Sequence, residues 1–131
     1  MTLLFLSMMI LGYNEAFVTG KVDEVFALAK KEQKYVVVDV YTTWCGPCKL
    51  MDKHTFAAPE VKAFLKDKVV AYKIDAEKGE GVAFARKYRV MGYPCVLVLD
   101  ADGKLVDKSM GYLPAKYFLD FVTKAVQKTA S

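Results

Sequence analysis

Tyr35-Val36-Val37-Val38-Asp39-Val40-Tyr41-Thr42-Thr43-Trp44-Cys45-Gly46-Pro47-Cys48-Lys49 is the stretch from which the fold can be read. Its first half is a continuous β-branched and aromatic run, the pattern of a central strand covered on both faces. Its second half turns at Gly46-Pro47 and leads into a helix-like segment from Lys49 onward. A strand that feeds straight into a helix places the first helical residues at the sheet's carboxyl edge. The unpaired N–H groups and the macrodipole favour negative charge there. A thiolate at Cys45 fits that place, so its pKa is expected to be low and the sulfur reactive. Cys48 is expected most of a turn further in and more covered. Cys45 is then the attacking sulfur and Cys48 the resolving one, a dithiol redox site. The same spacing also opens zinc ribbons. Zinc would need two more ligands, and the chain offers Cys95, His54 and carboxylates but no second pair at metal spacing. We therefore expect neither a metal nor any other cofactor.

Asp39 is the odd member of the apolar strand. A carboxylate in such a place is costly unless paired or protonated. It is either partly solvated near the strand end or a buried carboxyl with a raised pKa. Buried six residues before Cys45, it could lie beneath the dithiol and relay a proton for Cys48.

Around this centre the chain reads as one domain of 131 residues, 54% hydrophobic and 26% charged. The net charge of +4, from 19 basic and 15 acidic residues, is spread out, and Lys30-Lys31 and Lys66/Lys68 read as solvated faces. Nothing in it forms a nucleic-acid stripe. Three cysteines are too few for a disulfide scaffold. Residues 1–14 read as a signal peptide or an N-terminal extension docked on the fold. The apolar run Leu3–Leu11 suits a secretory core in length, although no Lys or Arg precedes it. Residues 15–131 form the domain.

In order, Glu15–Thr19 is a short edge strand broken by Gly20, and Val22–Lys31 a helix with acids in its first turn and lysines in its last. Pro59 starts a second helical piece after the motif helix, with Val61, Phe64 and Leu65 facing in. His54 reads as a surface or helix-end residue. Val69–Asp75 is a strand, and Glu80–Tyr88 a short helix with Val82, Phe84, Ala85 and Tyr88 available for its buried side. Val90–Cys95 leads into the apolar run Val96–Leu99, and Pro94 is permitted at the start of such a strand, where no ladder donor is needed. Its peptide bond is a candidate for cis. Asp100–Gly103 turns into a hairpin arm, Lys104–Met110, and Pro114 opens a last helix with Phe118, Phe121, Val122, Ala125 and Val126 at helical spacing.

Trp44–Lys49, Asp39 six residues earlier, Gly92-Tyr93-Pro94 and Gly111 together resemble the thioredoxin family over nearly the whole chain from about Glu15. The resemblance implies an α/β thioredoxin fold, a mixed central β-sheet flanked by helices. It implies that Cys45 forms a mixed disulfide which Cys48 resolves, and that Pro94 is cis and lies against both. The backbone of Tyr93 would pair with an extended substrate segment, and Trp44, Gly46 and Pro47 would shape the docking surface. The family's usual lysine near the buried acid falls at Ala71, leaving Lys73, two residues along the same strand face, as the substitute. Val38–Trp44 and Lys53–Val61 are similar to exported bacterial members, including the C-terminal periplasmic domain of the transmembrane reductant carrier DsbD.

These features lead to a protein-disulfide reductase acting on disulfide-containing proteins. A membrane thiol carrier or a thioredoxin reductase would re-reduce it. It is expected to be a monomer with no nucleic-acid partner, periplasmic or otherwise extracytoplasmic, with the cytoplasm as the alternative. The competing functions are a redox-dependent client-binding module in metal or haem protein maturation, a disulfide isomerase or oxidant, and a CxxC metal carrier. Cys95 is left over, either an inert buried hydrophobe or a third redox thiol near Cys45.

Overall fold

The computed structural model describes residues 16–130, so the reading of residues 1–14 lies outside the described residues. Five strands form one sheet: β1 (Phe17–Val18), β2 (Tyr35–Tyr41), β3 (Val69–Asp75), β4 (Cys95–Leu99) and β5 (Leu105–Met110). The order across the sheet is β1-β3-β2-β4-β5. β1 and β2 both run parallel to β3, whereas β4 lies antiparallel to β2 and to β5. The sheet is therefore mixed. Its central strand is the apolar run that precedes the cysteines, and Val36 to Val40 are all buried.

Period-two alternation divides that strand between two cores. Val36, Val38 and Val40 face a layer formed by α1 (Val22–Glu32) and α4 (Glu80–Lys87). Val37 faces the other layer, with Met51, Phe56, Val61, Leu65, Phe118 and Val122. Those residues come from α3 (Pro59–Asp67), α5 (Ala115–Ala130) and the segment that joins α2 (Gly46–Leu50) to α3. That segment, Met51–Thr55, is a single π-turn, closed by the Phe56 N–H donating to the Met51 carbonyl at 2.8 Å. The sequence reads as a helix continuing through Lys53 and interrupted at Thr55–Pro59, so the wide turn begins earlier than expected. The turn buries Met51 and Thr55 and leaves Asp52, Lys53 and His54 outside. Pro59 then opens α3 at its first turn, where a missing N–H costs nothing.

Two expectations change on this scaffold. Val82 is exposed, and Gly81 takes the inward place on α4. A short helix packed this close to the end of β3 leaves no room for a side chain there. A Cβ on Gly81 would stand 1.7 Å from the Asp75 carbonyl oxygen. The edge strand is also shorter than the residues 15–19 expected, at Phe17–Val18. Because the clash at Gly81 is with backbone, Gly81→Ala is expected to lower the unfolding free energy by roughly 1–3 kcal/mol. Urea unfolding would show this as a lower midpoint at an unchanged slope. An unchanged midpoint would contradict the close approach described here.

Candidate active site

The strand-to-helix junction is built as the sequence suggests. β2 ends at Tyr41, and the chain turns through Thr42–Trp44, with the Cys45 N–H donating to the Thr42 carbonyl at 3.4 Å. Cys45 is extended and caps α2. Its Sγ accepts the Cys48 backbone N–H at 3.1 Å. Pro47 sits in the first turn, and its ring removes a donor that would otherwise be unpaired. Cys45 and Cys48 are joined as a disulfide with Cα atoms 5.3 Å apart. The N–H that meets Cys45 Sγ would donate to a thiolate after reduction. The expected difference in cover is absent: both cysteines are 3% exposed, because the bond draws both sulfurs into one shared site.

Asp39 is 1% exposed, which removes the partly solvated reading. Directly across the parallel ladder is Lys73. Its ammonium donates to Asp39 Oδ2 at 2.5 Å and to Asp52 Oδ1 at 2.7 Å. Lys73 thus supplies the cation that Ala71 does not. The ammonium also lies about 5 Å from the ring centroids of Phe17, Tyr41 and Phe56, where ring quadrupoles attract it. Burial raises the Asp39 pKa above its ordinary 3.8, and the Lys73 charge offsets only part of that rise. Lys73 itself is raised, since its two carboxylates outweigh its own burial. Asp39 Oδ1 is buried with no protein partner. Asp52 carries no signal in the sequence, because an even helix after Cys48 gives no reason to turn it toward β3. The π-turn does so.

The Tyr93–Pro94 peptide is cis. Pro94 directly precedes Cys95, which pairs with Val40 near the carboxyl end of β2. The proline loop therefore stands at the same edge of the sheet as the dithiol. The Pro94 carbonyl accepts the Gly111 N–H at 2.8 Å, and Gly111 takes a φ of 102° that suits glycine. Tyr93 meets Trp44 edge to face, with centroids 6.0 Å apart. Trp44 is 64% exposed, and its indole N–H donates to Glu77 Oε1 at 2.9 Å. Gly46 and Pro47 are exposed beside it. The two expected groups, the dithiol and the proline loop, are thus brought to one edge. Glu77 is an addition that no motif marked.

Cys95 is fully buried among Val36, Val38, Val40 and Leu97, in the layer opposite Val37. Burial pushes its thiol up to about 11. It is a core residue. His54 is exposed on the π-turn. Among the described residues no three His, Cys, Asp or Glu side chains come together as a metal-binding group, and no helix is long and apolar enough to cross a membrane. A groove of about 450 Å³ between α1 and α4, lined by Val22, Phe26, Phe84 and Tyr88 among others, contains none of the site residues.

A mixed sheet that delivers a CxxC disulfide to a helix N-terminus, with a cis-proline loop at the same edge, defines the thioredoxin-fold class. The chain belongs to the thioredoxin-like family, whose domain profile matches residues 22–125. It is 39% identical over 100 residues to thioredoxin Y2, chloroplastic, of Arabidopsis thaliana, covering 76% of this chain and 56% of that protein. It is 37% identical over 78 residues to the thiol:disulfide interchange protein DsbD of Citrobacter koseri, covering 59% of this chain and 14% of that one. The reduced C-terminal domain of Neisseria meningitidis DsbD superposes with a TM-score of 0.66 at 29% identity, over 79% of this chain and 93% of that domain.

The raised acid has a consequence for stability. Folded Asp39 keeps its proton to higher pH than unfolded Asp39 does. Between the ordinary carboxylic range and the raised value the folded state binds more protons, so stability falls as pH climbs through that window. Lys73, shifted upward, loses its contribution only at far higher pH. The stability of Asp39→Asn minus that of the parent is therefore expected to grow from about pH 4 toward neutrality. Denaturant titrations of the oxidised protein at several pH values measure it, and a difference that shrank with rising pH would contradict this assignment.

Proposed function

We propose that this chain is a thiol–disulfide oxidoreductase that runs as a protein-disulfide reductase. The reading is carried by the Cys45–Cys48 disulfide at the start of α2, with Cys45 Sγ accepting a backbone N–H. In the reduced protein the Cys45 thiolate attacks a substrate disulfide. A Cys45–substrate bond forms, and one substrate sulfur leaves as a thiolate. Cys48 then loses its proton and attacks Cys45 Sγ. The second substrate sulfur leaves, and the Cys45–Cys48 bond closes. Two electrons pass to the substrate in each cycle. Asp39, through its unpartnered Oδ1, is the group we assign to take the Cys48 proton, with Lys73 holding the other oxygen. Desolvation suits that task, because it moves a carboxyl toward the working pH.

Trp44, Gly46, Pro47, Tyr93 and cis-Pro94 form the face against which an extended substrate segment would lie, pairing with the Tyr93 backbone. Gly46-Pro47 is the reducing type of dipeptide by resemblance. The similarity to DsbD and to a chloroplastic thioredoxin supports exchange with disulfide proteins and supply of electrons from an upstream thiol carrier or reductase. We place the protein outside the cytoplasm, on the apolar run Leu3–Leu11 and the likeness to DsbD. We take it to act as a monomer.

Insulin reduction driven by dithiothreitol tests this. Cys45→Ser is expected to abolish turnover, and Cys48→Ser to accumulate mixed disulfides with substrate at a turnover reduced by orders of magnitude. Full activity in Cys45→Ser would reverse the assignment of roles. Slow turnover by the parent, together with retention of a single client by Cys48→Ser, would favour the client-binding function instead.

A further inference from the structure

The described part of the chain contains three methionines, Met51, Met91 and Met110. Met51 is fully buried, whereas Met91 and Met110 are 82% and 54% exposed. Both exposed residues belong to the proline loop or touch it. Met91 precedes Gly92-Tyr93-Pro94 directly. Met110 is the ladder partner of Cys95, and its Sδ lies 3.2 Å from where a Cβ on Gly92 would stand. Across the loop, Trp44 packs edge-on against Tyr93. The two thioethers therefore lie at the loop that carries Tyr93 and Pro94, which we take as part of the substrate face. Soft, adaptable side chains of this kind suit a surface that accepts varied apolar segments.

We propose that Met91 and Met110 are a modification site for peroxides, at which conversion to sulfoxide weakens docking of protein substrates; this rests on the exchange function proposed above. In the step, a sulfur lone pair attacks one peroxide oxygen. The O–O bond breaks and an S–O bond forms; with hydrogen peroxide, the proton of the transferred oxygen passes to the departing hydroxide, which leaves as water. Each sulfur is oxidised by two electrons and the peroxide is reduced by two. The result is a polar, chiral group in place of an apolar one, and it is reversible by the two epimer-specific sulfoxide reductases.

The disulfide form of the protein directs oxidant to these residues. With Cys45 and Cys48 bonded to each other and nearly covered, no thiolate is offered there. Cys95 is fully buried with its thiol held protonated by desolvation, and Met51 is closed off in the core. The exposed thioethers are then the accessible sulfurs of the described chain. The site would be modified when the protein stands oxidised, which is when its supply of reductant has failed.

The test treats the oxidised protein with hydrogen peroxide, removes the peroxide, maps sulfoxide by peptide mass spectrometry and then measures insulin reduction. Sulfoxide is expected at Met91 and Met110 and not at Met51. The KM for insulin should rise roughly threefold to tenfold with kcat held, and methionine sulfoxide reductases should restore it. Met91→Leu/Met110→Leu should give the same KM before and after its own treatment. Stoichiometric oxidation at both residues with an unchanged KM would overturn the proposal. Equal impairment of the double variant by peroxide, or Met51 reacting as fast as Met91, would do the same. A protein that reduces no insulin before treatment overturns the exchange function and this switch with it, whereas the other failures leave exchange standing.

Discussion

The ion pair between Asp39 and Lys73 is the constraint around which this molecule is arranged. It sets a carboxylate in the middle of the central strand, where every neighbour on β2 from Val36 to Val40 is buried. An ionised acid there without a partner would cost several kcal/mol. Replacement by a hydrophobe would serve stability at least as well. The strand keeps the acid, so the structure must hold a cation against it. The parallel register of β2 and β3 brings Lys73 level with Asp39, the π-turn brings Asp52 to the same ammonium, and rings from β1, β2 and the π-turn region close around it. Four separate parts of the chain converge on one charge.

The same strand that carries the acid delivers the cysteines, and this links packing to chemistry. β2 must be rigid to hold Asp39 near the start of α2, and it is rigid because it is sandwiched between β3 and β4 with helices on both faces. Six residues further on, its exit becomes a helix in whose first turn the Cys48 N–H donates to Cys45 Sγ. In the function we propose, the Cys48 N–H faces the Cys45 sulfur, and the desolvated Asp39 carboxyl takes the proton of Cys48. Trp44, Met91 and Met110 are exposed, and Tyr93, against which Trp44 packs, is partly exposed.

Much of this was legible in the sequence because it is local. A β-branched run, a CxxC and a proline at a strand start each announce themselves within a few residues, so β2, the dithiol and the Pro94 loop could be found. Lys73 was legible only as a stand-in for Ala71 on the same strand face. What could not be read depended on contacts between distant segments. Asp52 reaches Lys73 because one π-turn rotates the residues after Cys48, and an even helical count gives no sign of it. Gly81 and Val82 exchange places because α4 packs against the end of β3 more closely than a hydrophobic pattern can convey. The equal cover of Cys45 and Cys48 follows from the bond between them, while spacing along a helix suggests a gradient.

The central claim is that this site stores electrons as a reductant. It is tested most directly by the equilibrium reduction potential of the Cys45–Cys48 pair, followed by Trp44 fluorescence in dithiothreitol or glutathione buffers. Trp44, the single tryptophan, adjoins Cys45. The account expects a potential within a few tens of millivolts of about −270 mV, the value for thioredoxin. A potential near about −120 mV, that of a strong oxidant, would contradict it and make this chain a donor of disulfides.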